Sequence, residues 1–78
     1  HEPKPAPDAL LYLADKWQID TSNILYVGDY LYDILTAQNA NALSCLICHF
    51  ETPDYANKAD ILVNSLVELN QALIKAQA

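Results

Sequence analysis

Apolar positions along this chain alternate between helical spacing and short unbroken runs. Behind a proline-punctuated start (Pro3, Pro5, Pro7), Leu10, Leu13, Ala14 and Trp17 recur at helical spacing. Proline suits the first helical position, where its missing N–H would have had no partner. Asp8 adds a first-turn acid that complements the helix dipole. The pattern predicts a helix over about residues 7–17. Asp20-Thr21-Ser22-Asn23 is a turn cluster. Ile24-Leu25-Tyr26-Val27 is wholly apolar and rich in strand formers, the mark of a strand covered on both faces. Gly28-Asp29 ends it. Leu31, Ile34, Leu35 and Ala37 return to helical spacing and stop near Asn41, a residue that tolerates the left-handed conformation closing many helices. Residues 43–48 form a second strand pattern. Thr52-Pro53 reads as an N-cap plus first-position proline and predicts a helical turn over about residues 53–57. Ile61-Leu62-Val63 is a third strand pattern. Ser65 and Glu68 have capping-box spacing, and Leu66, Leu69 and Leu73, with Val67 and Ile74 beside them, give the last helix an apolar stripe.

Helices alternating with apolar strands imply an α/β fold: a parallel sheet with crossover helices, a Rossmann-like three-layer sandwich. Three strands make an incomplete sheet. One lateral edge would expose an apolar strand, which native proteins cover.

Composition narrows the partners. The chain has 78 residues, so it holds one core and no second domain. Domains of this size bury only roughly 60% of the surface their unfolded chains expose, so stability is thin unless something else adds burial. Apolar residues make up 53%, which excludes a disordered chain. The net charge is -6 and there is no arginine. That argues against a grip on nucleic-acid phosphates and against attraction to an anionic membrane. No apolar run approaches the roughly 20 residues that span a bilayer. Two cysteines without a signal segment point to a reducing, cytoplasmic compartment.

The only glycine stands where the first strand leaves the sheet, in Val27-Gly28-Asp29-Tyr30-Leu31-Tyr32-Asp33. Glycine there lets backbone come close to a ligand, and open α/β sheets bind ligands beyond the carboxyl ends of their strands. Asp29 and Asp33, four apart, offer two hard carboxylates to Mg²⁺. The plainer alternative is a capping aspartate followed by a solvated one.

Strand–Gly28-Asp29-x-x-x-Asp33–helix, preceded by Lys4-Pro5-x-Pro7 and a helix, resembles the C-terminal half of the core domain of a haloacid dehalogenase superfamily hydrolase, of the phosphoglycolate phosphatase-like type. The resemblance runs from Lys4 to about Leu73 and takes in Ala37, Ala40 and Ala59-Asp60-Ile61. It implies that Asp29 binds Mg²⁺ and that Asp33 assists the metal site. It implies that Lys4 contacts substrate, stabilising the phosphoryl group in flight. The parent activity it implies is hydrolysis of a small phosphomonoester through an aspartyl-phosphate. Tyr30 stands where the family commonly has a small hydroxyl residue, and Asn41 where it has glycine.

The chain has no Asp-x-Asp, the motif that carries the nucleophile in such enzymes. The expectation is therefore a C-terminal part of a larger hydrolase, its nucleophile-bearing half and cap outside residues 1–78, and no turnover by this chain alone. The missing half, or another chain, would pair at the open sheet edge. A non-catalytic dimerisation module with the same fold is the alternative. A third candidate is Cys45-Leu46-Ile47-Cys48-His49, which matches the c-type haem pattern. In a strand, however, Cys45 and Cys48 face opposite sides, which leaves two buried thiols as the simpler reading.

Overall fold

A computed structural model of the chain describes residues 5–76. Helix α1 spans Asp8–Lys16, strand β1 Leu25–Gly28, helix α2 Leu31–Asn39, strand β2 Leu43–Ile47, strand β3 Ile61–Val63 and helix α3 Leu66–Ala76. Short 3-10 turns cover Thr21–Asn23 and Ala56–Lys58. The strands form one parallel sheet in the order β1-β2-β3. Register pairs Leu25 with Leu43, Val27 with Cys45, and Cys45 in turn with Ile61.

Alternation along the strands sorts the core onto two faces. On one face, Leu10 of α1 meets Ala37, Ala40 and Ala42, with Ile24 and Tyr26 against them. The same face carries Ile34 of α2 against Leu46, Cys48 and Ala56. On the other face, Cys45 and Val63 bury against Leu69 of α3, with Leu25, Ile47 and Ile61 alongside. Helices thus cover both faces of a parallel sheet, as its apolar strands require. Ile34 and Leu46 are fully buried at the centre.

Local chemistry sets the helix ends. Asp20 accepts from the N–H and hydroxyl of Ser22, which holds its carboxyl below the usual range. Asn41 closes α2 at φ 59°, and the Ala42 N–H reaches back to the Ala37 carbonyl at 2.8 Å. That is the left-handed closure expected of Asn. Gln18 closes α1 in the same way at φ 54°, with the Ile19 N–H on the Ala14 carbonyl. Ser65 Oγ accepts from the Glu68 N–H at 3.0 Å and starts α3. Asp60 latches β2 to the approach of β3: its carboxylate accepts from the Ser44 N–H at 2.8 Å, and its own N–H donates to Ser44 Oγ.

Two expectations are corrected. The helical turn after the second strand begins at Ala56, because Pro53 opens a tight turn closed by the Ala56 N–H on its carbonyl. The stripe on the last helix is buried only at Leu69; Leu66, Val67, Leu73 and Ile74 are exposed, because β3 is too short to face them. Among the described residues, no helix is long and apolar enough to cross a membrane.

Candidate functional site

Strand β1 delivers Gly28, Asp29 and Tyr30 to the carboxyl end of the sheet, and α2 begins at once with Leu31. Asp33 sits one turn into that helix and is buried. Its side chain folds back over the loop: Oδ2 accepts from the Asp29 and Tyr30 N–H groups, both at 3.2 Å. The Asp33 N–H in turn donates to the Tyr30 carbonyl at 3.1 Å. A carboxylate on the first free amides of a helix satisfies donors that would otherwise be orphaned, and it suits the dipole.

This fold-back explains the lone glycine. A Cβ on Gly28 would fall on the Asp33 side chain, at its β and carboxylate carbons. Gly28 has no positive φ. It is required by close approach rather than by backbone conformation, and the group that approaches is Asp33. Asp29 stays exposed. The two carboxylates therefore differ: Asp33 holds the loop and Asp29 presents an oxygen donor to solvent.

That donor set fits Mg²⁺ in part. Magnesium takes hard oxygens, commonly one or two carboxylates, and completes its shell with waters and substrate phosphate. Among the described residues, no group of three or more His, Cys, Asp or Glu is placed to hold a metal ion. The loop offers one corner of a coordination sphere, not the whole.

Aromatic rings rim the loop. Tyr30 and Tyr32 meet edge to face with centroids 5.3 Å apart. Tyr55, from the segment after β2, meets Tyr30 at 6.1 Å and 84°. Burial pushes the Tyr55 phenol up, and neighbouring Tyr30, Cys48, Asp29 and Asp54 add to the rise. Tyr55 was not legible as a site neighbour: it lies 25 residues beyond Tyr30, and only the β1–β2 pairing brings the two together.

Lys4 lies outside the described residues. The carbonyl of Pro5, next to it, accepts from Asn39 Nδ2 at 2.9 Å, at the C-terminal end of α2. Asp33 is at the opposite end of that helix, about 9 Å along the axis at 1.5 Å per residue. The structure thus joins Asp29 and Asp33 and does not bring the Pro5 backbone to them. The Cys45-x-x-Cys48-His49 motif is divided by the sheet. Cys45 is buried against Val63 and Leu69, Cys48 against Ile34 and Leu46 on the other face, and both are free thiols. One haem cannot be tethered to both. Burial raises the Cys45 thiol, so it stays protonated and inert.

Comparison with known proteins bears on the same loop. A family profile described as haloacid dehalogenase-like hydrolase matches residues 1–47, which contain β1, the Gly28-Asp29 turn and α2. Phosphoglycolate phosphatase from Vibrio parahaemolyticus is 39% identical over 71 residues, 87% of this chain and 31% of that protein. D-glycero-beta-D-manno-heptose-1,7-bisphosphate 7-phosphatase from Escherichia coli is 38% identical over 77 residues, covering 95% of this chain and 40% of that protein. The crystal structure of 4-nitrophenylphosphatase from Thermotoga maritima superposes with a TM-score of 0.71 at 28% identity, over 91% of this chain and 30% of its own. The chain therefore spans about a third of the length of these relatives. A parallel sheet flanked by helices, an acidic loop closing its first strand and a profile match over more than half the residues agree: this chain belongs to the haloacid dehalogenase-like hydrolases.

Proposed function

We propose that the protein carrying this chain is a Mg²⁺-dependent phosphatase acting on a small phosphorylated metabolite, and that the Asp29–Asp33 loop is one corner of its active site. The observation that carries this reading is the unequal pair of carboxylates at the end of β1. One is buried and locked onto backbone amides; the other is exposed toward the side where such sheets bind ligands. The similar proteins are named as phosphatases of a glycolate, a heptose and a nitrophenyl phosphate, which supports the reaction type and leaves the substrate open.

In this reading Asp29 contributes a direct oxygen ligand, and Asp33 keeps the loop amides in place. Bound Mg²⁺ would offset charge on the phosphoryl oxygens. Lys4 would add a second positive charge there; its role rests on the Lys4-Pro5 resemblance. The nucleophilic aspartate comes from outside this chain, so the 78 residues alone do not turn over. The two free thiols are in keeping with a reducing, cytoplasmic compartment.

The rest of the protein, or another chain, covers the outer edge of β1. Among the described residues this strand pairs only with β2, and on the α3 side of the sheet Val27 of β1 and Leu43 of β2 are 36% and 45% exposed. An unpaired apolar edge invites a further strand.

The test is metal removal. Full-length protein stripped with a chelator should lose hydrolysis of 4-nitrophenyl phosphate and recover it on addition of Mg²⁺. A protein that hydrolyses no phosphomonoester under either condition would point instead to a non-catalytic module that pairs through the β1 edge.

A further inference from the structure

Asp33 holds the loop through two hydrogen bonds of 3.2 Å, the long end of the N–H···O range. Bonds at that limit leave room for further bracing. The loop residue Tyr30 is extended (φ -139°, ψ 163°) and half exposed, and its carbonyl accepts from the Asp33 N–H at 3.1 Å. Its ring is bracketed. Tyr32 meets it edge-on at 5.3 Å from within α2, and Tyr55 meets it edge-on at 6.1 Å from the segment after β2. Tyr55 is itself anchored: it packs on the cluster of Ile34, Leu46, Cys48 and Ala56, whose first two members are fully buried. Edge-to-face pairs are directional as well as apolar. A ring seated on the rigid centre of the sheet can therefore fix the ring of Tyr30, and with it the backbone that carries the Asp29 and Tyr30 amides.

We propose that Tyr55 is a positioning residue for the Asp29–Asp33 loop: seated on the Ile34–Leu46 core, its ring braces Tyr30 and keeps the two loop amides on the Asp33 carboxylate. Tyr55 touches neither substrate nor metal in this account. It acts through Tyr30, and the aromatic ring, not the phenolic hydroxyl, does the bracing. The consequence for Mg²⁺ affinity rests on the reading of the loop as a metal site; the brace itself does not.

The experiment compares Tyr55→Phe, which keeps the ring, with Tyr55→Leu, which keeps apolar bulk on the core and removes it. In the full-length protein without metal, amide hydrogen exchange is read at Asp29 and Tyr30, with the amides of α3 as an internal control. Tyr55→Leu should speed exchange at the two loop amides about tenfold, the effect of losing one edge-to-face contact. Tyr55→Phe should match the unmodified protein, and α3 should not change in either variant. The Mg²⁺ concentration for half-maximal turnover should rise severalfold in Tyr55→Leu and stay put in Tyr55→Phe. Unchanged loop exchange in Tyr55→Leu overturns the brace. So does exchange that speeds up equally in Tyr55→Phe, or in step with α3. If the unmodified protein shows no Mg²⁺-dependent turnover, the metal-site reading fails, while the exchange arm still decides the brace.

Discussion

Gly28 and Asp33 define each other. The Asp33 carboxylate occupies the space a side chain at position 28 would need, so the position admits glycine alone without displacement. Gly28→Ala should cost about 1–3 kcal/mol, the usual range for overpacking a close contact, as read by denaturant unfolding. It should also raise the Mg²⁺ requirement, because Asp33 must leave the loop amides to make room. A variant as stable as the original would show that the carboxylate moves freely. The sequence makes Gly28 conspicuous as the only glycine, and its place at the end of a strand marks a close approach. The sequence points to a ligand as the approaching group; in the structure the Asp33 side chain, from the first turn of α2, lies against Gly28. Spacing also treats Asp29 and Asp33 as equivalent acids. The resemblance implies different roles for them, and the fold-back adds a difference in burial and bonding that depends on a rotamer no spacing records. Tyr55 was further out of reach, since nothing local to it signals Tyr30.

At the scale of elements, β1, β2 and β3 fall within a residue of their apolar runs, because both faces are covered and the pattern is continuous. The end of α2 was legible for a different reason: Asn is one of the few side chains at ease with a positive φ. Gln18 does the same for α1 without any such preference, so its role was invisible. The turn after β2 was misplaced because proline serves a β-turn as well as a helix start. Burial of β2 on both faces also has a thermodynamic signature. Burial raises the Cys45 thiol, whereas the unfolded chain ionises near the ordinary value of about 8.5. Above that pH the unfolded state holds fewer protons than the folded one, so stability falls as pH rises. The contribution is complete below about pH 8 and fades through the alkaline range. Melting temperature should therefore drop between about pH 8 and 10, and Cys45→Ala, though less stable at neutral pH, should show a shallower drop. Equal slopes would remove Cys45 as the cause.

The whole molecule is a slab of 32 × 32 × 16 Å. Its radius of gyration is 12.8 Å, against about 11.5 Å for a compact chain of this length. The excess agrees with an uncovered β1 edge and with the exposed apolar residues on α3. Length alone predicts thin stability, and apolar surface is exposed beside β1 and over the outer face of α3. The acidic charge proved less informative than its placement. It argues against nucleic acid as a partner but says nothing of which carboxylate faces solvent at the end of the sheet. The central claim concerns that one group, and a charge-removing substitution addresses it most directly. Hydrolysis of 4-nitrophenyl phosphate by the full-length protein and its Asp29→Asn variant should be titrated with Mg²⁺. The variant is predicted to lose on the order of a hundredfold in kcat/KM and to need more Mg²⁺, since a metal contributes several kcal/mol to such transition states. A variant within about twofold of the original, well under 1 kcal/mol, with the same Mg²⁺ dependence would contradict the account.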